Sequence, residues 1–223
     1  MSYDFGSFMG KARLSDVSVL LKYRKSFRAS NPDFFAPDGI LLFSGGQGSG
    51  KTLSAARYVK RLSDVYPKAL VVSNIRLNIP DRPIIRYTGF DALSKMDNGY
   101  LGIICFLDEI QVEFSSLESK KIHPSELSLI SQQRKRRLHI VGTSQQFSRI
   151  AKPFREQCNA LVECSSRFGG ILQLNKMVDF GSLAYNEAGE LTNVEYTHKT
   201  SFVRTPELFD LYDTFERVSS ERG

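Results

Sequence analysis

No stretch of the 223-residue chain approaches the ~20 consecutive apolar residues that span a bilayer. The opening segment MSYDFGSFMGKARLSD has neither the apolar stretch nor the small-residue cleavage site of a secretory signal. The expectation is a soluble protein of cytoplasmic type, neither secreted nor membrane-spanning. Only three cysteines are present, Cys105, Cys158 and Cys164, with no CxxC pair. They read as buried free thiols, and a disulfide scaffold is excluded. The three histidines, His123, His139 and His198, lie far apart with no HExxH spacing, so neither a zinc site nor a Cys/His nucleophile pair is expected. Internal repeats and low-complexity tracts are also missing. What remains is ordinary for a globular domain: 41% of residues are apolar and 24% charged. A chain of this length buries roughly 70% of its unfolded surface, so its core needs no staple.

Three segments are expected. Residues 1–39 form a basic, aromatic N-terminal segment in which LSDVSVLLKYRKSF reads as a helix. Residues 40–178 form the core, and 179–223 add a strand and a helix to the same domain. Within the core, ILLFS, ALVVSNI, YLGIICFLDE and LHIVGTSQ are continuous apolar runs. Continuous rather than alternating hydrophobicity predicts strands covered on both faces, as in parallel sheets. RPIIRYT is expected at a sheet edge, a short helix over 88–96, and strands over 160–165 and 170–178. A helix is predicted over 125–137, a turn within 179–192, a strand in NVEYTHKTSFV and a terminal helix in TPELFDLYDTFERVSS. The fold class expected is α/β, with a mostly parallel, helix-covered sheet.

Gly45-Gly46-Gln47-Gly48-Ser49-Gly50-Lys51-Thr52 satisfies G-x-x-x-x-G-K-[ST] between an apolar strand and a helical pattern. Glycines let backbone N–H groups and the helix N-terminus point at phosphates. Lys51 would reach the β- and γ-phosphates, and the Thr52 hydroxyl would be an oxygen ligand for Mg²⁺. Asp108, after IICFL, stands where such enzymes keep the acid that holds Mg²⁺ through water. Glu109, one residue on, can polarise an attacking water as general base. Gln145 ends the strand LHIVGTSQ, where an amide can sense the γ-phosphate, with Gln146 its competitor by one residue. These residues imply ATP and Mg²⁺. A GTPase is disfavoured because Asp179 lies one residue too far from Asn175 to complete NKxD, and no arginine lid marks a small-molecule kinase.

Charge is unevenly spread. Residues 118–176 carry eleven Lys/Arg against four acids, whereas the whole chain is +6, so the rest is nearly neutral. A basic region in a near-neutral chain fits a polyanion, and Lys135, Arg136 and Arg137 are candidates for binding DNA phosphates.

The residues GGQGSGKT (45–52), VVSNI (71–75), ICFLDEIQ (104–111), SQQRKRRLHIVGTSQQ (131–146), IAKPFREQCNALVE (150–163) and LFDLYDTFE (208–216) resemble those of additional-strand P-loop ATPases of the HerA/FtsK type. More narrowly, they resemble Zot-like phage ATPases and viral genome-packaging ATPases. The resemblance implies a RecA-like fold and ATP hydrolysis. It further implies a homo-oligomeric ring, commonly hexameric, that moves DNA irrespective of sequence. An arginine from the adjacent subunit would complete each site, with Arg134, Arg136, Arg137, Arg149 and Arg155 as candidates. A capsid vertex or another viral assembly protein is the partner it suggests, in the host cytoplasm or on the virion. Many Zot-like proteins carry a transmembrane helix after the ATPase domain and this sequence does not, which favours packaging. The alternatives are a Zot-like morphogenesis or export ATPase with a membrane partner, and a nucleotide-dependent binding switch.

Overall fold

A computed structural model of the chain describes residues 13–114, 131–179, 184–185, 191–192 and 195–213. The chain divides into two compact units, Met1–Phe34 and Phe35–Gly223. In the first, helix α1 spans Leu14–Ser30, with Asp16 in its first turn and Arg28 in its last, both complementary to the helix dipole. Val17, Val19, Leu20, Leu21 and Tyr23 are exposed along it.

The second unit is built on an eight-stranded mixed sheet. In chain order its elements are β1 (Gly39–Ser44), α2 (Lys51–Val65), β2 (Leu70–Ser73), β3 (Ile84–Arg86), α3 (Phe90–Lys95), β4 (Ile103–Leu107) and β5 (Leu138–Ser144). There follow α4 (Lys152–Arg155), β6 (Cys158–Arg167), β7 (Leu172–Asp179), β8 (Ala184–Tyr185), β9 (Leu191–Thr192), β10 (Tyr196–Val203) and α5 (Pro206–Phe209). The strand order is β10-β7-β6-β1-β5-β4-β2-β3, while β8 and β9 form a separate two-stranded ribbon. Strand pairing is parallel from β6 through β3 and antiparallel at β6–β7 and β7–β10. β5 is inserted between β1 and β4, in register Ile40↔Ile140 and Ile103↔Leu138.

Alternation along the buried strands divides their side chains between two cores. Ile40, Leu42, Ile103, Cys105, Leu107, Leu138 and Ile140 face one side, where Phe90 and Leu93 of α3 and Phe114 and Phe154 cover them. Leu41, Phe43, Ile104, Phe106 and Val141 face the other, under Ala55, Ala56 and Val59 of α2. Small residues on α2 let that helix lie close on the sheet, which fixes its N-terminus beside the end of β1. All three cysteines are buried free thiols within these cores.

Two expectations need correction. Of the helix predicted over 125–137, the described part is helical only at Ser131 and Gln132, and 133–137 form a turn. The Leu138 N–H donates to Gln133 O at 2.9 Å, and Arg137 adopts φ +52°, so the chain reverses to enter β5. Of the terminal helix expected in TPELFDLYDTFERVSS, the described part is helical only over the single turn α5. The Asn78 N–H donates to Leu211 O at 2.8 Å and draws the following residues into a bridge between Leu77 and Tyr212. Residues 125–130 and 214–223, and the turn expected at 186–189, lie outside the described residues. Among the described residues no helix is long and apolar enough to cross a membrane.

Leu42 is 0% exposed at the centre of the sheet. Leu42→Ala is expected to lower unfolding stability by about 2–5 kcal/mol, as transfer and cavity costs add. Chemical denaturation checks this, and an unchanged midpoint would contradict the central placement of β1.

Candidate functional site

The carboxyl ends of parallel strands are where open α/β sheets place ligands. Here the loop 45–50 leaves β1 and turns into α2 through Gly50, whose φ is +82°. A side chain at this position would be strained, and its Cβ would collide with Gln173 Oε1 and Arg204 Nη2. Gly50 also offers no side chain to cap α2, so the first amides of that helix face the loop.

Lys51 is 7% exposed, and its Nζ lies 3.5 Å from Glu109 Oε1. The Thr52 hydroxyl donates to Asp108 Oδ1 at 2.9 Å. The Thr143 hydroxyl donates to the same oxygen at 2.7 Å and accepts the Glu109 N–H at 2.9 Å. Asn74, just past β2, holds the Asp108 peptide from both sides: its amide donates to Asp108 O at 2.9 Å and its carbonyl accepts the Asp108 N–H at 2.8 Å. Glu109 has φ +52° and ψ +50°, a left-handed conformation that costs a residue with a Cβ about 1–2 kcal/mol. The bend turns its carboxylate toward Lys51, and Gln111 Nε2 donates to Glu109 Oε2. Burial pushes the Asp108 carboxyl up from its ordinary pKa, against the hydroxyls of Thr143 and Thr52, which pull it down.

A cleft of about 220 Å³ opens on this cluster. Gly48, Gly50, Lys51, Thr52 and Asp108 line it together with Arg204 from beyond β10. Buried Gln173 donates from Nε2 to Ser49 O at 3.0 Å and accepts from Arg204 at Oε1, with Nε at 3.0 Å and Nη2 at 2.6 Å. Thus the antiparallel strands β7 and β10 buttress the glycine loop.

The predicted residues do not all converge. Lys51, Thr52, Asp108 and Glu109 meet in one cluster. Gln145 and Gln146 are exposed just beyond β5, and Gln146 O accepts the Ser144 hydroxyl at 2.9 Å. Arg134 pairs with Asp38 at 3.4 Å, and Arg136 donates to Ser94 O. Lys135 and Arg149 are exposed, and Arg155 stacks over Phe147 at 5.6 Å. Sequence reading alone did not single out Asn74, Thr143, Gln173 or Arg204. Thr143 and Asn74 at least sit within recognisable strand ends, whereas Arg204 meets Gly48 across 156 residues and carries no local signal.

The donor set fits a magnesium–nucleotide. Thr52 and Asp108 place a hydroxyl and a carboxylate, both hard oxygen donors, beside a buried ammonium. The Ser49 hydroxyl is buried without a hydrogen-bond partner among the described residues, an orphan in the loop that would wrap phosphate.

Because the native pKa of Asp108 lies above its unfolded value, the folded protein binds that proton more tightly. Ionisation therefore costs stability near neutrality and nothing at low pH. Asp108→Asn is expected to raise the melting temperature of the ligand-free protein at pH ~7. The gain should shrink as pH falls through the native pKa and vanish near the unfolded value of about 3.9. Melting curves of both proteins across pH test the sign, and a gain that grows on acidification would refute it.

No protein-family model and no curated protein matches the sequence. Solved structures do. The N-terminal domain of zonular occludens toxin from Neisseria meningitidis superposes with a TM-score of 0.50 at 18% identity, covering 80% of this chain and 100% of that one. The genome packaging NTPase B204 from Sulfolobus turreted icosahedral virus 2, in complex with AMPPCP, gives 0.51 at 11% identity over 70% and 97% of the two chains. Its complex with AMP gives 0.51 at 12% over 72% and 98%. At such identities the likeness is one of fold. With its glycine loop on β1, its two acids after β4 and β5 between those strands, the chain has the P-loop NTPase fold.

Proposed function

We propose that the chain is an ATPase whose hydrolysis drives DNA through a ring of its own subunits, packaging a viral genome. The observation that carries the catalytic part is the cluster in which Lys51 meets Glu109 while Thr52 and Thr143 hold Asp108. Nucleotide phosphates compete with Glu109 for Lys51, and the carboxylate so released is the base for water. The strained backbone at Glu109 and the Thr143 hydroxyl on its N–H fix where that base points. Water attacks the γ-phosphorus and loses its proton to Glu109, and the bond to the ADP oxygen breaks. Thr52 and Asp108 would hold Mg²⁺, which neutralises charge on the phosphate oxygens. Gln145, with Gln146 as its competitor, would sense the γ-phosphate from the tip of β5.

Support for the motor comes from the net positive segment 118–176 and from the fold shared with B204, described as a genome packaging NTPase. At most one or two of Lys135, Arg136 and Arg137 would touch DNA phosphates, the remainder lying at the subunit interface or in solvent. In a ring, one of Arg134, Arg136, Arg137, Arg149 and Arg155 would reach the neighbouring subunit's site. Likeness to the zonular occludens toxin domain supports a second reading, a morphogenesis or export ATPase with a membrane partner.

Lys51→Ala is expected to abolish MgATP hydrolysis without unfolding the protein. Glu109→Gln should bind ATP yet turn over at least about 10²-fold more slowly. A steady-state phosphate-release assay decides, and hydrolysis at the wild-type rate by Lys51→Ala would refute the ATPase reading. For the motor, duplex DNA is expected to stimulate hydrolysis. The triple alanine variant of Lys135, Arg136 and Arg137 should bind all DNA sequences more weakly. Its slope of log K against log salt should be shallower by about 0.9 for each DNA phosphate that is no longer neutralised. Unchanged affinity and slope would return these residues to ordinary surface charge, and stimulation by anionic vesicles instead of DNA would favour the membrane reading.

A further inference from the structure

We infer that Arg204 is a phosphate-binding residue of this site supplied in cis, held in position by Gln173. The inference rests on the nucleotide reading above and adds a cation to it from the far end of the chain.

Arg204 follows β10 immediately and lines the same cleft as Lys51, Thr52 and Asp108. Its backbone N–H donates to Ile171 O at 2.8 Å, which anchors it to the start of β7. Its side chain is oriented by a neutral acceptor. Gln173 Oε1 takes hydrogen bonds from both Nε and Nη2, and Nη2 also lies 3.5 Å from Gly48 O. Gln173 is itself 0% exposed and fixed by donating to Ser49 O and to Asn175 Oδ1, at 3.0 and 2.9 Å. Asn175 Oδ1 in turn accepts the Ser54 hydroxyl of α2 at 3.1 Å.

Among the described residues no carboxylate forms an ion pair with Arg204. A guanidinium at Gly48, in the cleft that buried Lys51 also lines, puts a second positive charge at the glycine loop, and an amide oxygen orients that charge without neutralising it. Such an arrangement suits an anion entering from the cleft. The planar fork of arginine matches the oxygens of a phosphate chain better than a lysine would. A structural tie between β10 and the loop needs only hydrogen bonding, which a neutral side chain could also provide. The charge is what the anion requires.

The test is calorimetric binding of MgADP, with melting of the ligand-free proteins alongside, for wild type, Lys51→Ala, Arg204→Ala, Arg204→Lys and Gln173→Leu. Arg204→Ala is expected to weaken MgADP binding by about ten- to a hundredfold, the range for losing a charge-assisted hydrogen bond. Arg204→Lys should recover part of that loss, and Gln173→Leu should show an intermediate one. If wild type binds, Lys51→Ala does not, and Arg204→Ala binds like wild type, the inference is overturned while the nucleotide reading stands. A lowered ligand-free melting temperature with wild-type affinity would likewise make Arg204 a purely structural tie and overturn it. Failure of wild type to bind would overturn both. Should Arg204→Ala not fold, Arg204→Gln, which keeps hydrogen-bonding capacity and removes the charge, is read in its place.

Discussion

One carboxylate oxygen organises the working end of this sheet. Asp108 Oδ1 accepts hydroxyl hydrogens from Thr52 at the start of α2 and from Thr143 at the end of β5. Asn74 clamps the peptide of the same residue from the end of β2. Burying a carboxylate is costly unless its lone pairs are occupied, so the two threonines are a condition for its being there. Once they are in place, the ends of β2, β4 and β5 and the first turn of α2 are tied to a single point. The glycine loop leaving β1 inherits its position from that tie.

Charge around the point is balanced by geometry as well as by count. Lys51 is almost fully buried, and the nearest compensation is Glu109, at 3.5 Å, on a backbone bent into the left-handed region. The same bend frees the Glu109 N–H for Thr143. Thr143 therefore touches both acids, donating to the side chain of one and accepting from the backbone of the other. A valine of similar shape would leave both partners short.

What the sequence made legible is what local chemistry determines. The apolar runs of β1, β4 and β5 carry their own pattern, and the glycine loop and adjacent acids sit at fixed offsets from strand ends. The edge placement of β3 and the existence of β6 and β7 also follow from composition, whereas their antiparallel pairing does not. The helix read through Arg137 goes wrong for a physical reason. A polar, charged stretch has the propensity for helix, yet β5 must begin at Leu138, and the reversal is made by five residues with Arg137 in a left-handed conformation. No propensity records where a neighbouring strand needs the chain to turn. Gln173 and Arg204 are illegible for a different reason: each looks like any other polar residue in or beside a strand until the antiparallel half of the sheet folds against the loop.

The span between Gly48 and Arg204 has a consequence in time. A ribosome delivers residues in order at about 5–20 per second, so the 156 positions separating the two amount to roughly 8–30 s of synthesis. During that interval the motif from Gly45 to Thr52, both acids and the strands that carry them can exist outside the ribosome with part of the lining of their cleft still unmade. The nascent chain thus holds a complete signature long before it holds a complete site, and the last strand of the sheet closes it.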